Sequence, residues 1–269
     1  MPELPEVETI ARGLHKRVAG DRIESVWVGS KPEPLKSRPR EIVRTLEGAT
    51  VVRVQRVGKH IVFELESADG SNAQWIVHLG MTGRMLVASP ELEVPQHTHL
   101  LARLASGREL RFIDPRRFGR LEVRNTVFAG PGTEPIGISL DEFARLFHKS
   151  KAPVKAALLN QKLLHGVGNI YADESLFRAG IRPRRRANTL SKAELARLHS
   201  AVQDVLKEAI AAGGSSISDY VDAEGEEGFF QLQHRAYGRE GQPCLTCKSP
   251  IKKIVVAGRG THYCPKCQK

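Results

Sequence analysis

Ala129-Gly130-Pro131-Gly132-Thr133-Glu134-Pro135-Ile136-Gly137-Ile138 divides the chain into two patterns. Glycine and proline at this density break helices and strands alike, so 129–138 reads as a linker. On its amino-terminal side apolar residues recur at strand spacing. Ile23-Glu24-Ser25-Val26-Trp27-Val28, Val52-Arg53-Val54-Gln55, Ile61-Val62-Phe63-Glu64-Leu65 and Trp75-Ile76-Val77-His78-Leu79 read as strands. Residues 100–104, the turn Ser106-Gly107 and Leu110-Arg111-Phe112 form a hairpin pattern. One helix leads, with Val7, Ile10, Ala11 and Leu14 on one face and Pro5, Glu6 and Glu8 in its early turns. Residues 31–40, with Pro32, Pro34 and Pro39, read as an exposed loop.

Beyond the linker the spacing turns helical. Phe143, Leu146 and Phe147 mark a short helix, and Val154, Ala157, Leu158 and Gln161 a second. Ser191-Lys192-Ala193-Glu194 is a capping box. It opens a helix through Leu195, Leu198, Val202, Val205 and Ala209 that Gly213-Gly214 stops. The fold class is therefore α+β. A β-sandwich with a leading helix covers 1–128, a helical domain 139–235, and a cysteine-bearing module 236–269. Residues 213–235 form a long loop rich in glycine, serine and acids, a length that usually serves function.

The chain has 269 residues and a formal net charge of +11. That balance points to a polyanionic partner, nucleic acid before membrane, because no basic amphipathic helix with an aromatic face is present. Aromatic residues make up only 6%, which favours duplex binding through phosphates over stacking on single strands. No apolar run is long enough to span a bilayer. The acidic amino terminus is no signal peptide, so a cytoplasmic protein is expected; a monomer is expected as well. The carboxy-terminal end is the most basic: Arg239, Lys248, Lys252, Lys253, Arg259, Lys266 and Lys269 stand against one acid, Glu240.

All four cysteines lie there, as Cys244-x2-Cys247-x16-Cys264-x2-Cys267. This is the spacing of two zinc knuckles joined by a hairpin-sized insert. Two disulfides are the alternative, which a reducing cytosol disfavours. The expectation is one structural Zn²⁺ with a closed ligand set and no organic cofactor. Within the insert, Gly258-Arg259-Gly260 places Arg259 at the expected hairpin tip, where it could grip a phosphate.

Met1-Pro2-Glu3-Leu4-Pro5-Glu6 opens the chain. If Met1 is removed, Pro2 becomes a secondary amine with a pKa near ~7.7–8.0, able to form an iminium. Glu3 and Glu6 are carboxylates within a turn of it, placed to move protons. His165-Gly166-Val167-Gly168-Asn169 reads as a turn between helices, with Asn169 as N-cap and free amides for a phosphate. An ordinary helical hairpin is the competing reading. The turns His78-Leu79-Gly80-Met81-Thr82-Gly83 and Asp114-Pro115-Arg116-Arg117-Phe118-Gly119 each follow a strand and carry a long apolar side chain. Such side chains can wedge into a duplex from which a base has been extruded. Alternatively, Met81 is core and the arginines are solvated.

Together these segments, in order and across the whole chain, resemble the formamidopyrimidine-DNA glycosylase family. The resemblance implies a β-sandwich, a helix–two-turn–helix domain and a zinc finger. It implies a bacterial base-excision enzyme, associated with the nucleoid when bound to DNA, that removes oxidised purines from duplex DNA and cleaves abasic sites. Pro2 would be the nucleophile, Glu3 the acid that helps open the sugar, Glu6 a supporting carboxylate and Lys59 a phosphate-binding lysine near the site. Asn169, Tyr237 and Arg259 would bind the DNA backbone, with His78 and Lys155 as further DNA contacts. Met81, Arg116 and Phe118 would fill the void, Arg116 facing the orphaned cytosine. Ser215, Ser216, Ile217, Ser218, Asp219 and Tyr220 would close over the flipped base. Thr82 sits at a position that varies among relatives, and no residue is assigned to reading the lesion's edge.

Two rivals remain. An endonuclease VIII-type glycosylase would prefer oxidised pyrimidines, but Leu4 and the Met81, Arg116, Phe118 set favour the purine enzyme. A non-catalytic zinc-ribbon DNA-binding protein would explain the charge and the cysteines. It leaves Pro2-Glu3 and the two wedge turns without a purpose.

Overall fold

The structure, a computed structural model, describes residues 1–215 and 228–269. It divides into two compact units, Met1–Ala129 with Gly213–Phe229, and Gly130–Ala212 with Phe230–Lys269.

The first unit begins with helix α1, Leu4–Val18. Its stripe of Leu4, Val7, Ile10, Ala11, Leu14 and Val18 is fully buried, as the helical period requires. Two four-stranded antiparallel sheets share its core. One runs β2 (Thr50–Val57), β3 (His60–Glu66), β4 (Asn72–His78) and β8 (Arg120–Arg124). The other runs β1 (Ile23–Val28), β6 (Thr98–Leu104), β7 (Glu109–Ile113) and β5 (Arg84–Ala88). Phe63 stacks on Trp75 with ring centroids 4.6 Å apart. Leu100, Leu110 and Phe112 from the second sheet join the same core. Each large side chain so buried contributes on the order of 1.5–3 kcal/mol.

Three elements here were not expected from the sequence. Helix α2, Pro39–Leu46, starts inside the supposed proline loop. Pro39 suits a first helical turn, and Ile42 and Leu46 bury one face at i, i+4 spacing. Strands β5 and β8 are short and half polar, so alternation alone is a weak signal; pairing with β7 and β4 makes them strands.

The second unit holds α3 (Leu140–His148), α4 (Val154–Leu159), α5 (Asn169–Ala179) and α6 (Lys192–Ala211), then the hairpin β9 (Lys252–Val256) and β10 (Arg259–Tyr263). Ser191 and Glu194 form the capping box that opens α6. Residues 130–138 are seated within this unit. The Thr133 N–H donates to the Leu163 carbonyl, and the Thr133 carbonyl accepts from the His165 N–H, each at 3.1 Å. Two local readings are corrected. The N-cap of α5 is Gly168, and Asn169 is already helical. The tip of the hairpin is Ala257-Gly258, both at positive φ, while Arg259 opens the returning strand opposite Val256. Among the described residues, no helix is long and apolar enough to cross a membrane.

Candidate functional site

At the amino terminus two buried carboxylates organise the backbone. Glu3 is the N-cap of α1, and its N–H donates to Glu6 Oε2 at 2.7 Å. The other oxygen, Glu6 Oε1, accepts from the Ser215 N–H at 2.8 Å. Glu6 therefore ties the segment carrying Pro2 and Glu3 to the point where residues 213–215 meet it. Gly214, at φ +84, allows this approach; a Cβ there would lie 3.0 Å from the Glu6 carboxylate. Lys59 is buried in the β2–β3 turn. That turn is fixed to α1 by Arg56, whose Nε donates to Glu8 Oε2 at 2.7 Å. Sequence reasoning missed both Arg56 and Glu8.

The two glycine-bearing turns present their apolar residues outward. Met81 is 43% and Phe118 49% exposed, so neither is core. The Arg116 guanidinium lies over the Phe118 ring, 4.7 Å from its centroid, an arrangement that stiffens both side chains. His78, at the end of β4, stands 4.9 Å from His60, ring to ring. Its Nδ1 accepts from the Gly80 N–H at 3.2 Å. Burial, first, and then the charges of His60, Lys59 and Arg120 push its pKa down to about 4. Lys36, His60, His78, Phe118, Arg120 and Glu122 line one concavity on this face.

In the second unit, buried polar groups hold the hairpin that carries Arg259. Lys155 Nζ is 2.7 Å from Asp173 Oδ1 and donates to Thr261 Oγ1 at 2.8 Å and the Gly260 carbonyl at 3.0 Å. The Asn169 amide donates to the same carbonyl at 3.0 Å. Asp173 Oδ2 accepts from the His262 N–H at 2.8 Å. Lys155, expected as a DNA contact, has no exposed surface on its side chain and seats the hairpin instead. Glu174 accepts the N–H groups of Arg235, Ala236 and Tyr237 at 2.8–2.9 Å. Burial raises its pKa despite these bonds. Tyr237 is half-buried, its ring edge-on to His262 at 5.2 Å, while Arg259 is exposed. Asp173 and Glu174 were missed because acids on a helix ordinarily read as solvated. Ser215 is buried; Ser216, Ile217, Ser218, Asp219, Tyr220 and the acidic stretch 223–227 lie outside the described residues.

The four cysteine sulfurs lie within 4.8 Å of one another. Cys244 and Cys267 approach to 3.9 Å, Cys247 and Cys264 to 3.4 Å. A tetrahedral zinc with ~2.3 Å bonds sets its sulfurs about 3.8 Å apart. The thiols fit one structural zinc, and four protein ligands leave no open position for chemistry.

Three family matches span most of the chain. Residues 1–121 match the formamidopyrimidine-DNA glycosylase N-terminal domain, 131–221 its H2TH domain, and 241–269 a zinc finger found in FPG and IleRS. The chain is 42% identical over 278 residues to the formamidopyrimidine-DNA glycosylase of Solibacter usitatus and 40% identical over 278 residues to that of Listeria monocytogenes, covering 100% of each chain in both cases. The MutM (Fpg) protein of Thermus thermophilus superposes with a TM-score of 0.88 at 42% identity, covering 99% of this chain and 98% of that one. A mutant Lactococcus lactis Fpg bound to Fapy-dG-containing DNA gives 0.90 at 35% identity, covering 100% of both chains. The chain belongs to the formamidopyrimidine-DNA glycosylase family.

Proposed function

We propose that the chain is a bifunctional glycosylase and abasic-site lyase that excises oxidised purines, 8-oxoguanine and formamidopyrimidines, from duplex DNA. The observation that carries this reading is the amino terminus. Pro2 adjoins a buried pair of glutamates, one of which also fixes Ser215. The Lactococcus relatives were solved with DNA containing Fapy-dG or an abasic site, which favours oxidised purines over the pyrimidines of the endonuclease VIII type. Once Met1 is gone, the Pro2 nitrogen carries a lone pair near neutral pH.

That lone pair attacks C1′ of the damaged nucleotide, and the glycosidic bond breaks with its electrons leaving on the base. Glu3 protonates the ring oxygen as the sugar opens, and loss of the amine proton gives the iminium. The iminium accepts the electrons of the C2′–H bond. The 3′-phosphate then leaves by β-elimination and the 5′-phosphate by δ-elimination, and water returns the free amine. Glu6 holds the terminus rather than the substrate. Lys59, His78, Asn169, Tyr237 and Arg259 engage the DNA backbone, and Met81, Arg116 and Phe118 occupy the space the lesion leaves. Zinc maintains the hairpin and takes no part in any step. The enzyme works as a monomer in the bacterial cytoplasm and joins the nucleoid when bound to DNA.

Borohydride trapping on an abasic-site duplex tests the nucleophile. Protein with a free Pro2 should give a covalent adduct, and protein with a retained amino-terminal extension none, because the nitrogen is then a tertiary amide. Lyase activity in protein proven by mass spectrometry to keep its extension would end the reading.

A further inference from the structure

The turns bearing Met81 and Phe118 leave different strands, β4 and β7, and one buried carboxylate joins them. Asp114 has no exposed surface. Its Oδ2 accepts from the Gly119 N–H at 2.7 Å and its Oδ1 from the Arg116 N–H at 3.3 Å. The Arg117 N–H reaches the Asp114 carbonyl at 3.2 Å. The turn is thus wrapped around one side chain, which holds Arg117 at φ +57, a left-handed conformation that residues with a Cβ rarely adopt. A further contact at Oδ1 comes from outside this turn. The Thr82 hydroxyl, next to Met81, donates to it at 2.6 Å. One carboxylate oxygen is shared by both turns.

The backbone packing says the same independently of hydrogen bonds. A Cβ on Gly80 would lie 2.6 Å from the Gly119 nitrogen and 2.6 Å from the Phe118 carbonyl carbon. The two turns touch through their main chains where no side chain fits.

We propose that Asp114 is the positioning residue of the wedge and that the Thr82 hydroxyl couples the Met81 turn to it, so that Met81, Arg116 and Phe118 enter the duplex as one body. Thr82 is thereby committed to Asp114 and not to the edge of the extruded base. A buried carboxyl that accepts from the backbone of one turn and the hydroxyl of the other fixes the two together. Holding the side chains together beforehand lowers the ordering cost of insertion. The inference rests on the void-filling role proposed above for these three residues.

Asp114→Asn disturbs the contacts within its own turn and risks the fold, so the decisive variants are at Thr82. Thr82→Val keeps the shape and removes the hydroxyl; Thr82→Ser keeps the hydroxyl. Single-turnover rates are measured with the full chain, Pro2 free, on 8-oxoguanine opposite cytosine and on the matching abasic duplex. Met81→Ala and Phe118→Ala are measured, singly and together, in the wild-type and Thr82→Val backgrounds. Thr82→Val should lower the lesion-to-abasic rate ratio about tenfold, and Thr82→Ser should restore it. The Met81→Ala and Phe118→Ala effects should be non-additive with Thr82 present and additive after Thr82→Val. A purely structural threonine would instead lower both rates alike, and that result refutes the coupling. So does an unchanged ratio with Met81→Ala and Phe118→Ala still impairing lesion excision, in which case the wedge itself stands. If those two alanine variants spare lesion excision, the wedge reading falls and the coupling with it.

Discussion

Met81 and Phe118 stand on turns rooted in a broad apolar core, where Phe63, Trp75, Leu100 and Phe112 are completely buried. Arg259 stands on a hairpin whose nearby apolar cluster is little more than Phe177, Ala236, Ile251 and the cysteines. The amino-terminal unit roots its exposed residues in buried apolar surface, with the Asp114 carboxylate joining their turns. The cysteine module has instead four clustered thiols that fit one zinc and, beneath its hairpin, the buried Lys155–Asp173 ion pair. Two different kinds of interaction therefore present the residues proposed to face DNA, and they should fail under different insults.

The largest expected effect separates them outright. Cys247→Ser removes one of four zinc ligands, and binding free energies of about 10–16 kcal/mol hold isolated fingers together. The module from about residue 240 onward should lose its amide protection in hydrogen exchange, together with its zinc and most of its DNA affinity. Protection in β2 to β4 should be unchanged. A variant that lost zinc and kept wild-type affinity would show that the apolar cluster suffices.

Next in size is the ion pair beneath the hairpin. Lys155→Met leaves the Asp173 carboxylate buried without its cation, a change that costs about 3–5 kcal/mol. Thermal unfolding of the helical unit should drop accordingly, by ~2–4 °C per kcal/mol. Lys155→Met with Asp173→Leu should recover part of the loss. Recovery stays partial because Asp173 also accepts the His262 N–H. An unchanged melting curve for the single variant would return Lys155 to the DNA-contact role that the resemblance implied.

These two effects mark where the sequence was readable. Cysteine spacing is a local pattern with one chemical explanation, and the zinc site was legible in full. The sandwich and the helical domain were legible because alternation and helical period are local too. Asp114, Asp173, Glu174 and Arg56 were not legible, because their partners lie far away in sequence or are backbone groups. An acid on a helix gives no sign that it will accept three N–H groups from residues 61 to 63 positions away, as Glu174 does. Helix α2 was hidden for a different reason: proline reads as a breaker, yet Pro39 sits where a helix tolerates it.

Smaller effects concern what each unit delivers to the DNA. Arg259 is exposed and pairs through its backbone with Val256, so Arg259→Ala should leave the hairpin intact. It removes one cation from the proposed DNA interface. Affinity should weaken on all duplexes alike, and the slope of log affinity against log salt should become shallower by ~0.9. An unchanged slope would mean that Arg259 does not meet a phosphate.

His78 should behave in the opposite way, and it gives the smallest and most specific effect. Its Nδ1 is occupied by the Gly80 N–H, so the neutral ring carries its proton on Nε2 and donates without charge. His78→Gln keeps a donor, and the salt slope should not change. The pH dependence has a definite sign. Burial and the cations around His78 lower its pKa to about 4 in the folded protein, against about 6.5 when unfolded. Above the unfolded value neither state is protonated and the group contributes its full stability. As the pH falls from about 6.5 toward 4 the unfolded chain takes up a proton that the folded protein refuses, so stability declines through that window. His78→Gln should flatten this decline, as followed by thermal melts across the same range. The ring resonances of His78 in the wild type should stay unshifted down to about pH 5, where an ordinary histidine is protonated. A midpoint near the ordinary histidine value would mean that its surroundings do not hold the ring neutral, and the salt slope should then steepen as the pH falls below about 6.5.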